Sequence, residues 1–434
     1  MNLNVIRPRY ADSFQCIGPA CEETCCQGWV IPVDKATTEK FSKLPPSAVR
    51  TLIDANILLT PHSDDGSKPP TFAQFRMTAS NTCPMLSEDH LCRIQTEFGE
   101  ELLPHACATY PRIICSGGDI EEKALTLSCP EAARLVLLNP ALLGSGYPLV
   151  RAPFHTSFGD GDQPESATSI HSWFRPLRDF SLGLVTNRVF PIWQRLFLLG
   201  VFCRGLDSIA KGELHRSVPS FLNDFETAVS NTLPAAMNVL PTDLGQQLDV
   251  VLRMAGMLLQ SSAARPRFAE CVEAFKAGIG NRPGATFASL TARYGLAYDR
   301  YYEPFFERQP HILENYLINT VIRCQFPFGR ESMRTGAAPV MAREHGLLIA
   351  QFALMKGFLI GVAGFHGDGF SAAHVVHTVQ SVSKHFEHHL DFLDRARALL
   401  VECRLDDNSG SAILLRNDRS SRPDTTSSLP QLLT

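Results

Sequence analysis

From about residue 170 to residue 404, apolar side chains return at intervals of three and four. That spacing lays a stripe along one face of an α-helix. "RVFPIWQRLFLLGVFCRGLDSIAKG" shows it, with Pro191 near the start, where a missing amide proton is tolerated. "LGQQLDVVLRMAGMLLQSS" and "PHILENYLINTVIRCQFPF" repeat the pattern. "SAAHVVHTVQSVSKHFEHHLDFLDRARALLVECR" reads as one long final helix, with Ser371 placed to cap it. No run of alternating strands stands out, and no repeat of solenoid length is present.

Before residue 140 the pattern changes. Turn pairs such as "GP", "PP" and "SGGD" interrupt it, and "PHSDDGSKPP" (Pro61 to Pro70) reads as an exposed loop. A second loose stretch, Gly159 to Ser169, follows. The expected fold is mostly α, with a small irregular cysteine-rich domain over 1–140 and a larger helical domain over 170–404. From Leu405 the chain is rich in Ser, Asp, Thr and Pro, so 405–434 reads as a disordered tail.

"GLLIAQFALMKGFLIGVAGF" (Gly346 to Phe365) is long enough to cross a bilayer. Lys356 sits at its centre, where a charge costs about 2.5–3.5 kcal/mol on insertion scales. Gln351 adds to that cost, so a buried helix in a helical domain is expected and no membrane partner. Apolar content of 44% supports a full core, and the formal net charge of −4 argues against a nucleic-acid partner.

The chain has 13 cysteines, nine of them in the first 130 residues. "MNLNVIRPRYADSF" has no apolar core of the kind a signal peptide needs. The expected compartment is therefore a reducing cytoplasm, where clustered cysteines are read as ligands before disulfides. Cys16, Cys21, Cys25 and Cys26 lie within eleven residues. Cys83, Cys92, Cys107, Cys115 and Cys129 form a second set. Four thiolates bind zinc tetrahedrally or hold an iron–sulfur cluster. Adjacent Cys25 and Cys26 reach one centre only from an irregular loop, or else serve two nearby centres. Trp29, Tyr110 and prolines 84, 104, 111 and 130 surround these sulfurs in sequence.

These landmarks together resemble the flagellin lysine-N-methylase family and the wider zinc- or iron-chelating group named for a CxxCxxCC pattern. The resemblance is carried by Cys16, Cys21 and Cys25–Cys26 followed by Gly28–Trp29, by "CPMLSEDHLCRIQTEFGEELLPHACATYPR" and by "LTLSCPEAARL". It covers residues 5 to 137, with a weaker echo in "ENYLINTVIRCQFPF". It implies a metal-ligand set of Cys16, Cys21, Cys25, Cys26, Cys83, Cys92, Cys107 and Cys129, without Cys115. It also implies a protein lysine N-methyltransferase with S-adenosylmethionine as donor, flagellin as protein substrate and an iron–sulfur centre, expected as 4Fe-4S with zinc as the alternative. The C-x3-C-x2-C pattern of radical S-adenosylmethionine enzymes is not matched, since Cys26 follows Cys25 at once. A non-catalytic metal chelator and a helical scaffold stapled by metal stand as the alternatives.

Methylating a lysine requires a neutral amine, and a free lysine is almost wholly protonated at pH 7. A base or a desolvating site is needed. Tyr110, Glu131, Glu314 and Tyr316 lie in the matched segments, but Glu131 also suits a helix N-terminus and Glu314 a pair with Arg323. The sequence names no catalytic residue. "LIGVAGFHGDGF" lacks the strand–turn–helix context of a nucleotide loop and reads as a helix–helix turn. His374, His377, His385 and His388 recur near whole helical turns, with His389 beside them, as candidate ligands or a solvated face.

Overall fold

The computed structural model describes residues 9–60, 72–117, 120–144, 169–209, 214–261, 265–387 and 390–417. The chain divides into two compact units. The cysteine unit is 14–113 with 129–132, and the helical unit is 1–13, 114–128 and 133–434.

The cysteine unit holds β1 (Pro32–Val33), α1 (Lys35–Ser42), α2 (Ala48–Asn56), β2 (Ile57–Leu59), β3 (Ala73–Phe75), α3 (Arg93–Phe98) and α4 (His105–Thr109). β3 lies between β1 and β2, antiparallel to both, with Val33 and Leu59 each opposite Ala73. Asp34 caps α1 by accepting from the Thr37 amide at 2.9 Å. Its other oxygen accepts from the His105 amide at 3.2 Å, which ties the start of α4 to the start of α1. A small core of Ile31, Val33, Phe41, Ile53, Phe75, Met85 and Ile94 fills the unit, with Cys83 inside it.

Three backbone contacts place the cysteine loops. The Cys83 amide donates to the Cys26 carbonyl at 2.7 Å, and the Gly28 amide to the Asn81 carbonyl at 2.8 Å. Leu86 and Cys92 form a further bridge. Gly28 has φ +83°, a left-handed backbone that a Cβ disfavours, so a glycine follows the paired cysteines for a geometric reason.

The chain continues through β4 (Arg112–Gly117), β5 (Ile120–Leu125) and α5 (Pro130–Leu137). The helices that follow are α6 (Phe174–Thr186), α7 (Ile192–Asp207), α8 (Leu214–Asn231), α9 (Leu233–Asn238), α10 (Leu244–Ser261), α11 (Pro266–Gly278) and α12 (Phe287–Ala297). The last are α13 (Glu303–Arg308), α14 (His311–Arg323), α15 (Arg330–Thr335), α16 (Met341–His366), α17 (Ala372–Phe386), α18 (Leu390–Glu402) and α19 (Asn408–Leu415). α16 is the axis of the helical unit, touching α7, α10, α11, α17, α18 and α19. It is apolar on every side and 89% of its most apolar window is buried, as expected of a core helix. Lys356 stays in that core by donating to the Leu415 carbonyl and to Asn417 Oδ1, with its ammonium 5.3 Å from the Tyr298 ring centroid.

Every residue of α14 after His311 is buried, polar ones included. Glu314 accepts from Arg188 at 2.7 Å and from Arg195 at 2.9 Å. Asn319 receives the Tyr10 hydroxyl at 2.9 Å and pairs with both backbone groups of Leu125. Arg323 donates to Gln351 at 3.1 Å and lies 3.6 Å from Glu387. Arg178 and Glu122 make a fully buried pair at 2.6 Å.

Several sequence expectations change. The long final helix is two: α17 stops at Phe386, where Glu387 turns toward Arg323 and Thr126. The tail expected from Leu405 is ordered as far as Asn417, because α19 buries Ala412, Leu414 and Leu415 and satisfies Lys356. Residues 418–434 lie outside the described residues. So do the Pro61–Pro70 loop and positions 159–168 of the second loose stretch. The boundaries differ as well, since 9–13 and 114–128 pack with the helices. Glu314 pairs with Arg188 and Arg195, not with Arg323. The "LIGVAGFHGDGF" stretch is the helix–helix turn expected of it.

α11 and α16 cross with their backbones nearly touching. A Cβ on Gly278 would stand 1.8 Å from the Gly361 carbonyl oxygen, which is backbone and cannot swing aside. Gly278→Ala is therefore expected to destabilise the helical unit by about 1–3 kcal/mol or more, read as a lower urea midpoint. An unchanged midpoint would contradict this crossing.

Candidate functional site

The cysteine unit gathers sulfurs that are distant in sequence. Cys25, Cys26, Cys83, Cys92 and Cys107 line one pocket of about 80 Å³, together with Trp29, Met85, Ile94, Pro104 and Tyr110. Cys83 and Cys92 flank a tight turn, Cys107 lies on α4 and the paired cysteines on the irregular loop bridged to Cys83. Both members of the adjacent pair face this pocket. Cys26 also packs against the hydrophobic core, while Cys25 is exposed and its indole neighbour Trp29 donates to its carbonyl at 2.7 Å.

Cys25 is the hub. Its sulfur is close enough to Cys21, Cys83, Cys92, Cys107 and Cys129 to disfavour a second negative charge on each. Cys16 lies further out, exposed, and is coupled in this way to Cys21. Burial is the larger effect on these thiols. It pushes Cys83 up to about 11, Cys129 up to about 12 and Cys107 well above the ordinary thiol range. Against it work backbone amides of Met85 and Leu86 at Cys83, of Gln95 and Ile94 at Cys92, and of Ala132 and Glu131 at Cys129. Amides aimed at sulfur favour the thiolate, the form that binds metal. None of the cysteines is in a disulfide.

The donor chemistry thus fits a thiophilic metal: soft ligands, several to a pocket, amide-supported and walled by apolar side chains. The convergence is that of a shared pocket. Among the described residues, no three Cys, His, Asp or Glu side chains stand ready-placed around one point. Cys115 belongs to the helical unit, buried, with its thiol 3.7 Å from the Arg323 carbonyl.

The other candidates separate. Tyr110 lines the sulfur pocket. Glu131 lies in the first turn of α5, the position that suits its charge. Glu314 is committed to two arginines. Tyr316 is fully buried, and among the described residues its hydroxyl has no hydrogen-bond partner. The histidine row splits: His374 and His377 line a cleft, whereas His385 is buried and stacked on Phe268 at 3.8 Å. His388 and His389 lie outside the described residues. Sequence reasoning missed His366, which the α16–α17 turn stacks against His374 at 3.6 Å. It also missed the buried Arg178–Glu122 pair, whose partners lie in segments with no shared motif.

The family described as the FliB lysine N-methylase C-terminal domain matches residues 178–414, just over half of the chain. The chain belongs to this family. The resemblance read from the cysteine motifs and the match over the helices point to the same FliB lysine N-methylase family. The chain is 27% identical over 260 residues to lysine-N-methylases of Salmonella choleraesuis (strain SC-B67) and Salmonella typhimurium (strain LT2). These matches cover 58% of this chain and 60% of each relative, so it spans about three-fifths of their length. It is 31% identical over 145 residues to the flagellar biosynthetic protein FliU of Salmonella muenchen, covering 33% of this chain and 83% of that one. No solved structure matches it.

Raised thiol pKa values mean neutral, slowly reacting sulfurs at pH 8. In chelator-treated protein, Cys83, Cys107 and Cys129 are expected to alkylate with iodoacetamide at least about tenfold more slowly than exposed Cys16. Peptide mapping by mass spectrometry reads the rates, and equal rates would contradict the buried pocket.

Proposed function

We propose that this chain is a protein lysine N-methyltransferase that uses S-adenosylmethionine to methylate flagellin lysines in the cytoplasm. The observation that carries the reading is the lysine N-methylase family match across 178–414. The name of the FliU relative supports a flagellar substrate.

The cysteine unit is proposed to hold an iron–sulfur centre, 4Fe-4S in type, with zinc as the alternative. The ligands come from Cys16, Cys21, Cys25, Cys26, Cys83, Cys92, Cys107 and Cys129. Those that share the pocket with Cys25 are the inner candidates. When bound, such a group would order the loops by tying their thiolates to one centre, and a metal position left without a thiolate would act as a Lewis acid toward a donor atom. The chain's own part is distinct. Cys25 and Cys107 anchor the two loops, amides at Cys83, Cys92 and Cys129 favour thiolates, and Trp29, Pro104 and Tyr110 exclude water from the pocket.

Methyl transfer itself needs a deprotonated amine held in line with the sulfonium methyl at about 3–3.5 Å. Incubation of the chain with flagellin and methyl-labelled S-adenosylmethionine under reducing, metal-replete conditions is expected to place label on lysine. Absence of label there would overturn the methylase reading. For the metal, iron, sulfide and zinc per chain are expected to fall sharply in Cys25→Ser and Cys107→Ser and to hold in Cys115→Ser. Equal loss in all three, or in none, would refute the ligand assignment.

A further inference from the structure

A second cleft opens where α16 turns into α17, built wholly from the helical unit and about 310 Å³ in volume. Buried Cys271 and Thr378 form its floor, and exposed Glu270 and Phe365 its rim. One wall is the stacked pair His366 and His374, whose ring planes differ by 13°. His377 lies beside them with Nε2 3.7 Å from the Glu270 carboxylate.

The three imidazoles are not equivalent. His374 Nδ1 accepts from the Ser371 amide at 3.2 Å, which leaves the ring proton of its neutral form on Nε2. His377 is engaged with Glu270. Among the described residues, neither ring nitrogen of His366 is hydrogen-bonded. Burial, and then the neighbouring His374 and His377, lower the pKa of His366, so it is neutral near pH 7. It is also the last residue of α16, where the helix dipole favours a proton arriving on the ring.

The full formal charge on the lining is the Glu270 carboxylate, and no lysine or arginine lines the cleft. An anion is therefore disfavoured. A metal ion is disfavoured too, since imidazoles stacked in parallel planes do not point at a common ion. A cation on an apolar stem fits, with the stem against Phe365 and Val362. We infer that this cleft receives the lysine side chain that is methylated, with its ammonium at Glu270 and with His366 as the base. The inference rests on the methylase reading above, and the cleft lies inside the matched 178–414 segment.

The step balances without another reactant. An N–H proton passes to a ring nitrogen of His366. The freed nitrogen lone pair forms a bond to the methyl carbon of a sulfonium donor, the carbon–sulfur pair returns to sulfur as a neutral thioether, and the imidazolium passes its proton to water. In water the proton transfer is uphill by about four pK units. Desolvation of the ammonium narrows that gap, while the Glu270 carboxylate and the burial of His366 work against the transfer.

The binding arm uses the full chain and n-butylammonium chloride, followed by the histidine Cε1–H resonances in NMR. His366→Gln and His374→Gln assign the two wall signals. Saturable shifts of both are expected with the amine and not with 1-butanol, weakened about tenfold in Glu270→Gln, a change at an exposed position. Shifts that do not saturate, that 1-butanol reproduces, or that persist unchanged in Glu270→Gln would overturn the amine site. The kinetic arm uses flagellin and S-adenosylmethionine, with an expected loss of about 100-fold in kcat and little change in KM for His366→Gln. An unchanged kcat removes His366 as the base. If the parent chain transfers no methyl group, the methylase reading and the base assignment fall together, while the amine titration still decides the cleft.

Discussion

The cysteine unit depends on a pair of main-chain hydrogen bonds. The Cys83 amide on the Cys26 carbonyl and the Gly28 amide on the Asn81 carbonyl bring together loops separated by more than fifty residues of sequence. The adjacent Cys25 and Cys26 become intelligible through this contact. The loop is irregular, so neighbouring side chains reach one pocket, one of them also seated in the apolar core. Burial alone would hold Cys83, Cys107 and Cys129 neutral. The amides aimed at Cys83, Cys92 and Cys129 act in the opposite sense and favour the thiolate.

The helical unit is organised by buried charge. α14 has scarcely any solvent-facing side, so Glu314, Asn319 and Arg323 must find partners inside the protein. They find them on the α6–α7 connection and α7, on Tyr10 and β5, and on α16 and just past the end of α17. Removing one member of such a pair strands the other, which makes the set strongly interdependent. The same demand is met at the end of α17, where the Glu387 side chain lies beside Arg323 and accepts from Thr126. Here packing of polar groups, as well as apolar ones, specifies which helices are neighbours.

Much of this was legible in the residues. Apolar spacing of three and four located α7, α10, α14 and α16, and the charge at Lys356 argued for a buried helix. The density and spacing of cysteines singled out the loops that do converge. What stayed hidden depends on distance in sequence. The tail from Leu405 looked disordered by composition, yet a few apolar residues in "AILL" and one carbonyl for Lys356 suffice to fold it. Histidine spacing near whole helical turns suggested one face, but the row divides between a cleft and a stack on Phe268. His366 joined the site only because a turn of a few residues reverses the chain, a fact that periodicity does not encode.

Lys356 gives α19 a role beyond its size. The ammonium lies in the middle of the most apolar helix, held by oxygens contributed from near residue 415. Proteolytic nicking between α18 and α19 would therefore not trim a passive end. It would loosen the oxygens that hold a cation in the centre of the bundle, so damage at the periphery would register as instability of the helical unit.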